Sequence, residues 1–498
     1  MLKISPDAHI TTNSQDVKPG SIFVAVKGQR HDGHDFIPDA VSRGAKHLVL
    51  ENRKNIPANF KGLTEEVMSS RRRLAEMACE KYWYPSRGMF CVGITGTNGK
   101  TSISFLIEHL LTAKNIPTGV IGTVDHHLGS RVWPTELTTP DSLQLQARLA
   151  EFIKGGAQAL SMEVSSHALE QRRADGIEFD AVIFNNLTRD HLDYHKTYEA
   201  YFEAKARLFT EVLMKSPKKE KRAVINVDDE WGKKLLLKMK TYQTIERFQI
   251  WTFGKDDPPL DSQAAELADK HLKITLQKSD FAQTRFSISD GEDTVDFAIP
   301  LIGLHNVMNT VAALGAVLET KVSLEDAAEG LKSFNGVPGR LERVPNNKGL
   351  HIFVDYAHTP DGLENVLKAF AQIQQQTAGA DIWTVFGCGG DRDKGKRPMM
   401  AEIAEKYSQG IIVTSDNPRT EDPHQIISEI KTGFKNPDKY IYEADRRKAL
   451  ALSVQKAKKG DAILIAGKGH EDYQIIGTQK IPFSDQKFIK EILDKDSK

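Results

Sequence analysis

The sequence predicts an α/β chain of three domains, and three observations carry that prediction. Short apolar strand candidates alternate with stretches of helical periodicity along most of the chain, which is the βα pattern of mostly parallel sheets. A glycine-rich loop at 93–101 stands between one such strand and one such helix. The length, 498 residues, allows about three domains at roughly 150 residues each.

Taken in order, residues 1–88 pair a β-rich run, Ser21-Ile-Phe-Val-Ala-Val26, with a turn-rich stretch from Lys27 to His34, and read as a small N-terminal α/β domain. Arg87-Gly88 then leads into the apolar strand Met89–Ile94. A helix is expected near Thr101, with Phe105, Leu106, Leu110 and Leu111 on one stripe. Ala157–Val164, Asp180–Phe184 and Arg222–Val227 are further strands of a mostly parallel sheet. From Leu272 to Leu301 the pattern becomes strict alternation, as in half-buried antiparallel strands, so a small meander is expected at the end of a central domain covering 89–335. The turn-forming segment Asn335–Arg340 marks the second boundary. Strands at Ile352–Asp355, Ile382–Phe386, Gly410–Thr414 and Ala462–Ala466 give 336–498 a doubly wound, Rossmann-like pattern. Each of these strands runs into a polar or glycine-rich loop, so one sheet edge is expected to bind ligand.

Composition removes several function classes. Lys plus Arg number 67 and Asp plus Glu number 67, which leaves no basic excess for nucleic acid or an anionic membrane surface. No apolar run approaches the ~20 residues of a membrane helix. Pro6 and Asp7 stand where a signal peptide would be apolar. Cys79, Cys91 and Cys388 are odd in number and widely spaced, fitting reduced thiols and no zinc pattern. A cytoplasmic protein is expected, with no nucleic-acid or membrane partner.

The chemistry starts at Gly96-Thr-Asn-Gly-Lys-Thr-Ser102. Between a strand and a helix, the backbone N–H groups of Gly96, Thr97, Asn98 and Gly99 can cradle phosphates; Lys100 can reach them and Thr101 can bind Mg²⁺. The usual spacing would put glycine at 94, where this chain has Ile94, so the loop is a variant. Glu163 closes an apolar strand, and Asp190, His191, Asp193 and His195 crowd one stretch. Beside phosphates such oxygen and imidazole groups suit Mg²⁺; alone, Asp190 would only cap a helix and the histidines would be solvated. Lys205, taken alone, reads as a surface lysine on a helix. Asn306 and Asn309 share a helix face and serve equally as a helix start or a purine contact.

In combination these motifs resemble the ATP-dependent Mur ligases, and the resemblance covers nearly the whole chain. It rests on Gly96–Thr101, Met162–Leu169, Asn186–Asp193, Ala204-Lys205, His305–Asn309, Pro338–Arg340 and Asp355–Pro360. Asp416-Asn-Pro-Arg419 and Gly467-Lys-Gly-His-Glu471 further resemble the family member that adds meso-diaminopimelate to UDP-N-acetylmuramoyl-L-alanyl-D-glutamate in peptidoglycan precursor synthesis. The resemblance implies roles: Lys100 on the ATP phosphates; Thr101 and Glu163 on one Mg²⁺; His191 and Lys205, the latter as its CO₂ adduct, on a second. Asn306, Arg340 and Asp355 would contact ATP. Ser14, Thr138, Thr139, Ser165, Gln171 and Arg173 would hold the UDP-sugar peptide, and Arg392, Asp416, Asn417, Arg419, Gly467 and Glu471 the incoming amino acid. The family commonly has Ser-Arg where this chain has Ser14-Gln15, which bears on the uracil contacts.

The implied reaction passes through an acyl phosphate, with closure about a hinge at Gly336, Pro338 and Gly339, and a monomer is expected. Two rivals are a related ligase acting on folate or a later muramyl peptide, and a nucleotide-gated interaction protein without catalysis. Retention of Lys100, Glu163, His191 and Lys205 together argues against the latter.

Overall fold

The computed structural model describes residues 4–28, 31–135, 137–243, 248–255, 267–376 and 379–495. The chain divides into two compact units, 1–273 with 311–323, and 274–310 with 324–498.

The first unit holds a four-stranded parallel sheet in chain order, Ile10–Thr11, Ile22–Val24, His47–Leu50 and Leu63–Glu66. Side chains of a strand alternate between faces, and here both faces are covered. Phe23, Leu48 and Leu50 pack with Ile37 and Ala40 of the helix Ile37–Ser42, whereas Ile22, Val24 and Val49 pack with Leu74 and Met77 of the helix Ser70–Tyr82. Ser69 starts the latter helix by accepting from Arg72 N.

The larger sheet of this unit is parallel through the strands Gln249–Gly254, Arg222–Asn226, Ala181–Phe184, Phe90–Thr95, Ala159–Glu163 and Thr118–Ile121, in that spatial order. The antiparallel strands His126–Leu128 and Arg131–Trp133 extend its far edge. The strands expected from the sequence occur within a residue or two of their predicted ends. Thr118–Ile121, Gln249–Gly254 and the 126–133 hairpin are additional. Phe90–Thr95 lies between Ala181–Phe184 and Ala159–Glu163. The glycine-rich loop therefore leaves the middle of the sheet at its carboxyl edge, flanked by the loops that follow its two neighbours.

The second unit holds a six-stranded sheet in the order Glu342–Val344, His351–Asp355, Ala462–Ala466, Ile382–Phe386, Gly410–Val413, Ile441–Tyr442. All pairs are parallel except the first. Alternation again separates two faces. Phe353, Phe386 and Leu464 pack under the helices Pro360–Gln376, Lys396–Tyr407 and Pro423–Lys431; Ile352, Val354, Val385 and Ile463 pack under Arg446–Lys456 and Asp485–Lys495. This is the expected doubly wound pattern. The meander is present as Lys270–Ser279, Thr284–Ser289 and Thr294–Ile299, and from Ile274 onward it belongs to this unit. A hairpin not foreseen, Tyr473–Ile476 with Gln479–Pro482, follows the last glycine-rich loop. Among the described residues no helix is long and apolar enough to cross a membrane.

Candidate active site

The phosphate loop lies in the first unit. The strand Phe90–Thr95 ends in Gly96, and Gly99, at φ +87°, turns the chain into the helix Lys100–Ala113. That left-handed conformation favours glycine. A second segment braces the loop: Asn186 Oδ1 accepts from Asn98 N at 2.9 Å, Asn185 Nδ2 donates to Asn98 O at 3.0 Å, and Thr97 N donates to Asn186 O at 3.0 Å. Lys100 Nζ curls over the loop and donates to Gly96 O and Thr97 O, both at 2.9 Å. Thr101 and Ser102 are buried in the first helical turn.

Lys205 is not the surface residue that its helix suggested. It is 1 % exposed, and its Nζ donates to Gly96 O at 2.8 Å from beneath the loop, over the Tyr201 ring. Burial, then the charge of Lys100, hold its amine well below the usual lysine range, with Asp190 opposing. The helix Tyr198–Arg207 presents Lys205 on the same inward stripe as Tyr201 and Phe202, which is why a lysine enters the interior. Tyr201 OH in turn meets Thr97 Oγ1 at 3.2 Å.

Glu163 is fully buried at the end of Ala159–Glu163, in register with Ile94. Thr123 N donates to its Oε1 at 2.8 Å and Thr123 Oγ1 to its Oε2 at 3.0 Å. Gly122 makes that approach possible, since a Cβ there would lie 2.4 Å from Glu163 Oε1. His191 stands exposed at φ +52°, its ring 4.8 Å from that of His167. Although the ring is open to solvent on one side, partial desolvation by the atoms around it, with the charges of Lys100 and Lys205 and against Asp190, lowers its pKa. His195, grouped with it in the sequence, turns inward instead: Nε2 meets Ser166 Oγ at 2.9 Å, and burial beside His167 brings its pKa down to about 4. Asp190 caps no helix through its side chain; its Oδ1 accepts from the adjacent His191 N.

The residues assigned to the UDP-sugar peptide form a connected patch beside Glu163. Thr138 Oγ1 meets Thr123 Oγ1 at 3.0 Å; Thr139 Oγ1 donates to Glu163 O at 2.9 Å and accepts from Ser165 N at 3.1 Å. Arg173 donates to Thr139 O at 3.0 Å and to Gln171 Oε1 at 2.6 Å. Ser14 does not join this patch. It is buried in the short 3₁₀ turn Ser14–Asp16 and hydrogen-bonds Asp39.

The second unit carries the remaining residues that the sequence singled out. Asn306 and Asn309 lie buried at the start of the helix Leu304–Val317, and Asn306 Nδ2 donates to Ile302 O at 2.9 Å. Asp355 accepts from Leu341 N at 2.7 Å and Ala357 N at 2.8 Å. Its pKa is raised by burial, against the nearby Arg340 and those two N–H groups. Arg340 lies over the Tyr356 ring, 4.9 Å from its centre. Asp416, Asn417, Gly467 and Glu471 converge: Asn417 Nδ2 donates to Glu471 Oε2 at 2.9 Å, and a Cβ on Gly467 would stand 2.9 Å from Asp416 Oδ2. Arg419, at φ +52°, donates to Gly390 O at 2.7 Å and flanks Gly389 together with Arg392. Sequence reasoning passed over Thr123, Gly122, Tyr201 and Lys468, whose importance lies in what they touch.

The family models match in order: the Mur ligase family catalytic domain at residues 8–82, the Mur ligase middle domain at 94–317, and the Mur ligase glutamate ligase domain at 339–469. The chain belongs to the Mur ligase family. A relative from Geobacter sulfurreducens, named UDP-N-acetylmuramoyl-L-alanyl-D-glutamate--2,6-diaminopimelate ligase, is 42% identical over 491 residues, covering 95% of this chain and 92% of its own. A solved structure of a ligase of the same name is 33% identical and superposes with a TM-score of 0.69 over 98% of this chain and 95% of that one. A MurF ligase from Thermotoga maritima, solved in complex with ADP, shares the fold at 22% identity and a TM-score of 0.56, over 99% of this chain and 98% of its own.

Proposed function

We propose that the chain is an ATP-dependent ligase joining meso-diaminopimelate to UDP-N-acetylmuramoyl-L-alanyl-D-glutamate, with release of ADP and phosphate, in the synthesis of peptidoglycan precursor. The observation that carries this reading is Lys205, a desolvated amine seated against Gly96 of the phosphate loop, and that loop leaves the strand paired with the one that ends in the buried carboxylate of Glu163. A module that only binds nucleotide has no use for either group there. The names of the full-length relatives support the choice of substrates.

A carboxylate is a poor electrophile. Transfer of the ATP γ phosphate to the D-glutamyl side carboxylate makes an acyl phosphate, a neutral amino group of diaminopimelate attacks it, and collapse gives the amide and phosphate. Lys100, the N–H groups of Gly96–Ser102 and the amino end of the helix Lys100–Ala113 hold and neutralise the phosphates. Asn306, Arg340 and Asp355 contact ATP. Ser14, Thr138, Thr139, Ser165, Gln171 and Arg173 hold the nucleotide-linked peptide.

The donor set fits Mg²⁺ if substrate phosphates complete its shell. Among the described residues no three His, Cys, Asp or Glu groups converge on one point, and Mg²⁺ sites commonly combine one or two protein oxygens with phosphate and water. Thr101 and Glu163 would hold one ion, His191 and carbamylated Lys205 a second. The metal supplies charge neutralisation between two anions that must meet. Carbamylation begins from a neutral amine, the form that the surroundings of Lys205 favour; CO₂ adds to nitrogen, one proton leaves, and the neutral amine becomes an anion.

Arg392, Asp416, Asn417, Arg419, Gly467 and Glu471 form the amino-acid pocket, where a guanidinium such as Arg419 can grip the distal carboxylate that distinguishes diaminopimelate from lysine. The roles divide over 1–88, 89–335 and 336–498. Three buried cysteines outside any disulfide support action in the reducing cytoplasm, and action as a monomer belongs to the same proposal. The test is phosphate release from ATP with UDP-muramyl dipeptide against a panel of amino acids. Release should require both substrates and favour meso-diaminopimelate; comparable kcat/KM for L-lysine would refute the role of Arg419, and no turnover with the dipeptide would refute the reading.

A further inference from the structure

Beneath the proposed amino-acid pocket lies a cation to which the reaction assigns no role. Lys468 is 0 % exposed. Its Nζ donates to Asn417 Oδ1 at 3.1 Å and to Glu471 Oε2 at 3.0 Å, and stands 3.7 Å from Asp416 Oδ1. Three residues of the pocket thus share one buried partner. An ammonium so deep in the protein is costly to desolvate, and it persists only where carboxylates and acceptors surround it.

The bonds fix orientation as well as charge. Asn417 Oδ1 accepts from both Lys468 and Ile475 N, the latter at 2.9 Å, so its amide nitrogen must turn toward Glu471. Glu471 Oε2 takes bonds from Asn417 and Lys468, which directs its other oxygen away from them. Asp416 Oδ1 is buried and accepts no hydrogen bond, facing Lys468 beyond bonding range. Two carboxylates with one lysine leave a single net negative charge, which one ligand ammonium neutralises. The hairpin Tyr473–Ile476 with Gln479–Pro482 closes the arrangement from above: Gln474 Nε2 donates to Asp416 O at 2.7 Å, and Arg419 N donates to Ile475 O at 3.1 Å.

We infer that Lys468 is a positioning residue that sets the charge and orientation of Asp416, Asn417 and Glu471, and so determines the affinity of the pocket for the amino group of the incoming amino acid. The inference rests on the pocket assigned above. Removal of Lys468 takes one of two donors from Asn417 Oδ1 and one of two from Glu471 Oε2, and deprives the buried Asp416 and the part-buried Glu471 of the ammonium beside them, while the phosphate loop keeps all its own contacts.

The experiment compares the full-length wild type with Lys468→Met and Lys468→Gln. The KM for each of the three substrates, kcat and the melting temperature are measured. The expected result is a rise of at least tenfold in KM for the amino acid, with kcat within threefold and the KM values for ATP and UDP-muramyl dipeptide unchanged. An unchanged amino-acid KM overturns the inference, as does a uniform loss across all three substrates. If the Met variant does not fold, the Gln variant is read in the same way, and failure of both to fold makes Lys468 a core residue and overturns it. Should the wild type prefer another amino acid, the functional reading fails on substrate and KM is read for that amino acid. A wild type that couples none refutes both.

Discussion

Gly122→Ala tests the placement of Glu163 without altering any group that bears charge. The added Cβ would stand 2.4 Å from Glu163 Oε1, 3.2 Å from Cδ and 3.4 Å from Cγ, whereas ordinary contact begins at 3.4 Å. The carboxylate must therefore retreat by about 1 Å, or the 118–123 segment must move by as much. Glu163 is fully buried, and the displacement strains the bonds from Thr123 N and Thr123 Oγ1. A misplacement of that size in a reacting site costs on the order of 10²-fold in rate, or about 2.7 kcal/mol of barrier. Overpacking costs roughly 1–3 kcal/mol of stability. The assay is phosphate release with all substrates and Mg²⁺ saturating, alongside thermal melting and ATP binding. The expected outcome is a folded protein with kcat lowered about a hundredfold and ATP affinity within a few-fold, because Lys100 and the loop are undisturbed. A folded variant with kcat within threefold of wild type would show that the position of Glu163 does not control the reaction.

Two further predictions follow from buried groups. Lys205→Ala should lose most turnover and regain part of it with formate or acetate, which can occupy the place of the carbamate; wild-type activity should fall in CO₂-free buffer, and full activity of the unrescued variant contradicts the assigned role. His127 opposes burial with hydrogen bonds to Asp125 at 2.6 Å and Glu108 at 2.9 Å, and its pKa is pushed up to about 9. A folded pKa above the unfolded value of about 6.5 means that the proton is held more tightly in the folded state. The stabilisation is complete below pH 6.5 and is lost as the pH rises through 9, a change of about 3 kcal/mol. Urea unfolding at pH 6 and pH 9.5 measures it; His127→Gln should flatten the difference, and equal slopes in the two proteins would refute it.

Much of the architecture was legible because the information is local. Runs such as Ala462–Ala466 and Ile382–Phe386 are apolar on both faces, as strands covered by helices on both sides must be. Alternation exposed the meander, and Gly99-Lys100-Thr101 between strand and helix exposed the phosphate loop. Several of the elements missed are short or marginal, although the buried six-residue strand Gln249–Gly254 was missed as well. Arg131–Trp133 and Glu342–Val344 have three residues each, too few for a period to show, and the 473–482 hairpin is half exposed and mixed in character. Of the residues that the motifs singled out, Lys100 and Lys205 meet at Gly96 and Thr139 and Ser165 adjoin Glu163, whereas Ser14 lies apart from the Glu163 patch.

By itself the sequence determined which functional groups exist and roughly where they stand on strands, helices and loops, because β-branched runs, glycine turns and helical stripes act over a few neighbouring residues. Only the tertiary structure decided the electrostatic state of those groups. Lys205 reads as solvated until Gly96, 109 residues away, and Lys100 are seen beside it. Lys468 reads as one more loop residue until Asn417, 51 residues away, closes over it. Desolvation and counter-charge are sums over spatial neighbours, and folding supplies those neighbours from distant parts of the chain.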